Sequence, residues 1–335
     1  MTILKVKDLA VSFQADKKTW LQVIDNINFE VRKGEVLGIV GESGCGKSVT
    51  ALSIMRLISN ARGRYDAGSI EFMGQDILKI SDAKMRNIRG NKISMIFQDP
   101  MTSLNPVFTI GNQLTEVIKL HQKVDNHEAW KIGCQMLQLV GITDLEENMR
   151  SFPHQLSGGM RQRVMIAIAL ACQPELIIAD EPTTALDVTI QAQVLELMLE
   201  LQSTLGTSIM LITHDLGVIA EMAHRVIVMY TGRIVESANV KELFSNARHP
   251  YTQGLMASIP RLDYDSKYLK TIEGTVPPVG KFPKGCRFNP RCPYCMDICK
   301  EANPPEIEVN GSEDHIVYCW KEAGGELNGR GAYSS

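Results

Sequence analysis

The sequence predicts an α/β domain built on a largely parallel sheet, and three observations carry that prediction. Residues 35–40 (EVLGIV), 175–179 (ELIIA) and 208–213 (SIMLIT) are near-continuous apolar runs, as expected of central strands covered on both faces. Stretches with helical periodicity separate these runs, the alternation that builds such sheets. A glycine-rich turn joins the first run to a helical stretch over residues 48–58.

The flanking elements follow in order. Residues 4–31 alternate more loosely and read as an antiparallel sheet, while residues 109–140 carry helical periodicity and read as an inserted helical region. After Pro260 the texture changes. Pro277, Pro278, Pro283, Pro290, Pro293, Pro304 and Pro305 crowd a stretch of little periodicity. Such a segment has too few apolar side chains for a core of its own, so a metal staple makes physical sense there. Residues 324–335 are expected to be disordered, and no internal repeat is evident. The predicted organisation is a domain over residues 1–258, a cysteine- and proline-rich region over 259–323, and a tail.

Bulk properties set bounds on function. A formal net charge of −3 gives no general pull toward nucleic acid. No run approaches the roughly 20 apolar residues that a membrane crossing needs, and residues 1–10 lack the apolar stretch of a signal peptide. A cytoplasmic protein is expected, with any membrane role supplied by partners. Three of the eight cysteines (Cys45, Cys134 and Cys172) are scattered, and five lie between Cys286 and Cys319. In a reducing compartment such a cluster points to metal rather than disulfides.

Gly41-Glu42-Ser43-Gly44-Cys45-Gly46-Lys47-Ser48, followed by Val49, is G-x-x-x-x-G-K-S in strand–loop–helix context. Its glycines let successive N–H groups face one concavity at the positive end of a helix, which accepts phosphate oxygens. Lys47 adds a charge at the β- and γ-phosphates, and the Ser48 hydroxyl can ligate Mg²⁺. The apolar strand over residues 176–179 ends in Asp180 and Glu181. Asp180 can hold the Mg²⁺ through water, and Glu181 can polarise an attacking water as general base.

Leu156-Ser157-Gly158-Gly159-Met160, ahead of a helical run, resembles the signature sequence of ABC ATPases. The resemblance implies an ABC-type P-loop NTPase fold: a RecA-like core, an antiparallel β subdomain, a helical subdomain, and here a small metal-stapled C-terminal region. It further implies that Ser157, Gly158 and Gly159 meet the γ-phosphate held by a second ATPase. Gln98 then matches the glutamine that reaches Mg²⁺ and the attacking water. His214 matches the switch histidine that orients Glu181, and Ala185-Leu186-Asp187 matches the loop crossing the dimer interface. Phe13 matches the aromatic residue that stacks on adenine, with Trp20 as its rival.

Two further segments look like those of bacterial dipeptide and oligopeptide importers. One is residues 103–111 (SLNPVFTIG). The other begins at residues 249–255 (HPYTQGL) and continues through Gly285-Cys286-Arg287-Phe288, Pro290-Arg291-Cys292-Pro293 and Cys319-Trp320. Within that group the chain is most similar to the D-type ATPase. The implied partners are a homologous second ATPase (a heterodimer, or a homodimer in isolation), two transmembrane permease subunits and an extracytoplasmic solute-binding protein, with no nucleic acid. The implied place is the cytoplasmic face of the membrane, and the implied ligands are ATP and Mg²⁺. Importers of nickel and other small solutes resemble the same group. Cys286, Cys292, Cys299 and Cys319 can hold either Zn²⁺ or an iron–sulfur cluster. The resemblance implies [4Fe–4S], zinc being the alternative, and Cys295 departs from its pattern.

Overall fold

The structure, a computed structural model, describes residues 1–59, 61–98, 103–184, 187–259, 271–312 and 314–324. The centre of the main sheet is parallel: β6 (Ile93–Ile96), β7 (Leu176–Asp180), β8 (Ser208–Ile212), β3 (Val36–Val40) and β9 (Arg225–Tyr230). With β10 (Arg233–Asn239), β11 (Ile307–Glu308) and β12 (Ile316–Val317) at one edge, the main sheet has strand order β11-β12-β10-β9-β3-β8-β7-β6. The apolar runs behave as buried strands should. Val36 and Val40 face one core while Leu37 and Ile39 face the other, and Ile177 and Ala179 likewise oppose Leu176 and Ile178. Gly38 has a packing reason, because a Cβ there would stand 2.6 Å from Ile219 Cδ1. Its absence lets the helix Leu216–Met222 lie close against β3.

The front section forms a second sheet of order β2-β1-β4-β5, from β1 (Thr2–Gln14), β2 (Trp20–Arg32), β4 (Gly63–Phe72) and β5 (Gln75–Asp76). It is antiparallel, as the looser alternation indicates. The second core lies between this sheet, the main sheet and helix α1 (Lys47–Ile54). Helix α1 is shorter than the helical stretch to residue 58. Arg56 takes a left-handed φ of 49°, and its guanidinium is held by the carbonyls of Ile77 and Ile80 at 3.1 and 2.8 Å. A tertiary contact, not a local breaker, ends the helix.

The inserted helical region resolves into two helices, Ile110–Gln122 and Asn126–Leu139, broken by Lys123 at φ 56° and restarted by Asp125 as N-cap. They pack with Leu145–Arg150 and against the helix Gly158–Leu170. The C-terminal segment contains more regular structure than its proline content indicates. The strand β12 (Ile316–Val317) pairs antiparallel with β10 (Arg233–Asn239), and β11 (Ile307–Glu308) pairs with β12. The segment thus extends the main sheet. Buried Glu236 secures it, accepting the N–H groups of Arg248 and His249 at 2.7 and 3.0 Å and meeting His315 Nε2 at 2.9 Å. Residues 325–335 of the expected tail lie outside the described residues.

Candidate functional site: a phosphate loop and a carboxylate cluster

The loop after β3 is shaped by glycines with positive φ: Gly41 at 153°, Gly44 at 79° and Gly46 at 103°. At Gly41 close approach demands glycine, since a Cβ would fall 2.2 Å from the Met229 carbonyl oxygen. Cys45, Gly46 and Lys47 are buried, while Ser43, Gly44 and Ser48 are exposed on the open side. Lys47 Nζ donates to the Gly41 and Glu42 carbonyls at 2.7 and 3.3 Å, which holds the ammonium inside the loop. Val49 packs on the second core and anchors the first turn of α1.

The end of β7 brings the carboxylates alongside. Ser48 Oγ donates to Asp180 Oδ1 at 3.1 Å. Burial raises the Asp180 carboxyl above its usual range, partly opposed by that hydrogen bond. These two oxygens suit a hard divalent cation, which prefers oxygen donors and gains most where a carboxylate is poorly solvated. Glu181 follows with a left-handed φ of 48°. Its Oε2 accepts from Gln98 Nε2 at 2.9 Å and from Thr184 Oγ1 at 3.0 Å, and its Oε1 stands 3.3 Å from His214 Nδ1. Gln98 and His214, from two other segments, and the neighbouring Thr184 therefore converge on one carboxylate.

Not every expected residue joins them. Ser157 caps the helix Gly158–Leu170 by accepting the Met160 N–H at 3.3 Å. Among the described residues no hydrogen bond or ion pair ties Ser157, Gly158 or Gly159 to the phosphate loop. Asp187 caps the helix Val188–Leu205, whereas Ala185 and Leu186 lie outside the described residues. Phe13 is half-buried on the second core, its ring 3.2 Å from where a Gly63 Cβ would stand. The Trp20 ring is covered by the Arg64 guanidinium, 4.4 Å from its centroid.

Cys286, Cys292, Cys299 and Cys319 line one small cavity with His249, Phe288 and Trp320. Gly285 makes this possible: at φ 69°, a Cβ there would lie 2.4 Å from the Cys299 carbonyl oxygen, and the adjacent Cys286 N–H donates to that oxygen at 2.9 Å. Burial pushes the Cys286 thiol up to about 11 and the Cys292 thiol up to about 12. The Cys295 thiol is directed instead at the Met296 carbonyl oxygen, 3.6 Å away. Among the described residues no group of three or more His, Cys, Asp or Glu side chains is arranged to hold a single metal ion.

The family profile described as ABC transporter matches residues 24–184, and that of the oligopeptide/dipeptide transporter C-terminal region matches residues 235–299. The oligopeptide transport ATP-binding protein AppD of Bacillus subtilis is 50% identical over 97% of this chain and 99% of its own length. The probable peptide ABC transporter ATP-binding protein y4tR of Sinorhizobium fredii is 50% identical over 95% of each chain. The chain belongs to the ATP-binding proteins of peptide ABC transporters. As an ABC ATPase it is also similar in fold to a solved bacterial cassette, MJ0796 in a dimeric post-hydrolysis state. The TM-score is 0.63 at 26% identity, covering 71% of this chain and 99% of that one.

Sequence reasoning about this ABC ATPase missed one contact. Arg291 makes a two-pronged ion pair with Glu42 of the phosphate loop, at 2.7 and 3.1 Å. The partners are 249 positions apart, and no local pattern marks them as neighbours.

Proposed function

We propose that this chain is the ATP-binding and ATP-hydrolysing subunit of a peptide importer, acting at the cytoplasmic face of a membrane. One observation carries the hydrolytic reading: beside the phosphate loop, Ser48 hydrogen-bonds Asp180, and the adjacent Glu181 is met by Gln98 and His214. The loop N–H groups and Lys47 bind the nucleotide phosphates. Ser48, Asp180 and Gln98 offer oxygen ligands to Mg²⁺, which supplies charge neutralisation when bound. Glu181 accepts a proton from the attacking water, with His214 and Gln98 fixing its orientation. Phe13 is the aromatic residue assigned to adenine, because Trp20 is already stacked against Arg64.

The signature residues Ser157, Gly158 and Gly159 sit at a helix N-terminus, the first two exposed and Gly159 half-buried, and the unpaired N–H groups of a first helical turn suit an anion brought by a second ATPase. The working unit is thus a pair of such subunits, a heterodimer in the reading favoured here. Two permease subunits supply the membrane path, and a solute-binding protein delivers cargo. Among the described residues no helix is long and apolar enough to cross a membrane. Peptide cargo is supported by the relatives that carry it in their names and by the match over residues 235–299. The test is peptide uptake by cells carrying the full transporter with Glu181→Gln in this subunit. Uptake at the wild-type rate would overturn the assignment.

The cysteine cavity supports a [4Fe–4S] cluster held by Cys286, Cys292, Cys299 and Cys319. Zinc would be held by thiolates converging on one ion at about 2.3 Å, whereas a four-iron cluster would take one thiolate per iron. Four thiols lining one cavity are the observation that supports the reading. Iron and acid-labile sulfide analysis of anaerobically purified protein decides between them. About four of each per chain, as a four-iron cluster requires, supports the cluster; zinc without iron overturns it.

A further inference from the structure

We propose that Arg291, the residue before Cys292, is a positioning residue for the phosphate loop. It neutralises and fixes Glu42, so that the cysteine-rich segment sets nucleotide affinity. This rests on the reading that residues 41–48 bind nucleotide phosphates.

Glu42 puts a carboxylate inside a loop that receives polyanions. An uncompensated negative charge there repels the phosphates across a medium of low polarisability. Arg291 removes the problem by geometry as well as charge. Its side chain is 4% exposed, and both prongs of the guanidinium engage the Glu42 carboxylate. Fork-to-fork pairs of this kind fix orientation more firmly than a point charge does. Arg291 is itself held by the carbonyls of Glu273 and Ile272, at 3.0 and 3.3 Å, and by the Tyr230 hydroxyl at 3.4 Å.

The rest of Glu42 is equally engaged. Its N–H donates to the Tyr251 hydroxyl at 2.9 Å, and its carbonyl accepts from Lys47 Nζ and from the Cys45 N–H. Tyr251, Tyr230 and the C-terminal Phe288 form one ring cluster with centroids 4.6 to 5.4 Å apart. A second arginine next to a cavity cysteine works on the other side. Buried Arg287 binds the Thr231 carbonyl and Asp25, and the following Gly232 N–H donates to the Cys45 carbonyl at 2.8 Å. The loop is therefore clasped from the cysteine segment at two points, and of the two only the Arg291 clasp cancels a charge carried by the loop itself.

The experiment measures the Kd of a fluorescent ATP analogue, and kcat and KM for ATP, on the full chain with its assembled partners. Wild-type binding checks the underlying reading by itself; no binding there sinks that reading, not this one. Arg291→Gln is expected to raise Kd and KM about tenfold while kcat at saturating ATP changes less than about threefold. Glu42→Gln/Arg291→Gln is expected to restore Kd to within about threefold of wild type, because no bare carboxylate remains. Arg32→Gln removes the Arg32–Asp314 link, at 2.8 Å, which loosens the same segment without touching the loop; its Kd should match wild type. An unchanged Kd in Arg291→Gln overturns the proposal. So does a double variant as weak as the single one, which assigns Arg291 a packing role alone.

Discussion

Glu181 Oε1 lies 3.3 Å from His214 Nδ1, while Gln98 and Thr184 hold the other carboxylate oxygen. The backbone under Glu181 is left-handed, at φ 48°, a conformation that costs a non-glycine residue on the order of 1 kcal/mol and persists where surroundings enforce it. Here they do, since the Glu181 N–H is tied to the Ile212 carbonyl at 2.8 Å. Fold stability is being spent on aiming one carboxylate.

Glu181→Gln keeps the shape and the hydrogen bonds from Gln98 and Thr184 while removing the basic oxygen. Turnover is expected to fall at least about a hundredfold, the scale of general-base catalysis, with ATP affinity within a few-fold of wild type. Single-turnover hydrolysis alongside equilibrium binding checks the split. Equal losses in both would show that Glu181 serves binding instead.

The loop makes a second demand, at Gly41. A Cβ there meets the Met229 carbonyl oxygen at 2.2 Å and Cys45 Sγ at 2.7 Å, and a carbonyl within a sheet cannot step aside. Gly41→Ala is expected to destabilise the fold by about 2–4 kcal/mol and to abolish nucleotide binding. At Gly44 a Cβ meets nothing within 4 Å, so Gly44→Ala carries only the strain of its φ of 79°, about 1 kcal/mol. Urea denaturation of both variants checks the ranking.

Much of this site was legible because its residues come in short contiguous motifs. Gly41–Ser48 declares a chemistry through local spacing, and Asp180–Glu181, ambiguous alone, gains its meaning beside that loop. The fold class was legible for a similar reason, since strands buried on both faces leave unbroken apolar runs. What could not be seen depends on distant partners. The end of α1 is set by carbonyls of Ile77 and Ile80, and the β12–β10 pairing joins segments some 80 positions apart. The Arg291–Glu42 pair is the extreme case: Glu42 falls in the phosphate-loop motif and Arg291 in the C-terminal segment, and neither pattern says that the two meet.

Docking of the C-terminal segment turns on Glu236, which is fully buried. Glu236→Ala strands the N–H groups of Arg248 and His249 and frees His315. Each buried group left unsatisfied costs about 1–3 kcal/mol, so a loss of about 2–5 kcal/mol is expected, with Glu236→Gln intermediate. Limited proteolysis should then cut within residues 271–324 faster than in wild type. Unchanged cleavage would mean that the segment is held by other contacts.

The last expectation concerns pH. Burial pushes the His249 imidazole down to about 4, only partly opposed by Glu236. Its Nδ1 accepts the Tyr251 N–H at 3.0 Å, a role that requires the neutral ring. In the unfolded chain the same group titrates near 6.5. Between those values the unfolded state binds a proton that the folded state refuses, so stability rises with pH across that window. The contribution is complete above about 6.5 and is lost as pH falls toward 4, at up to about 1.4 kcal/mol per unit. His249→Asn preserves an acceptor for the Tyr251 N–H and removes the titration. Urea midpoints at pH 7.5 and 5.0 should therefore fall by less in the variant than in wild type. Equal falls would assign the acid sensitivity to another group.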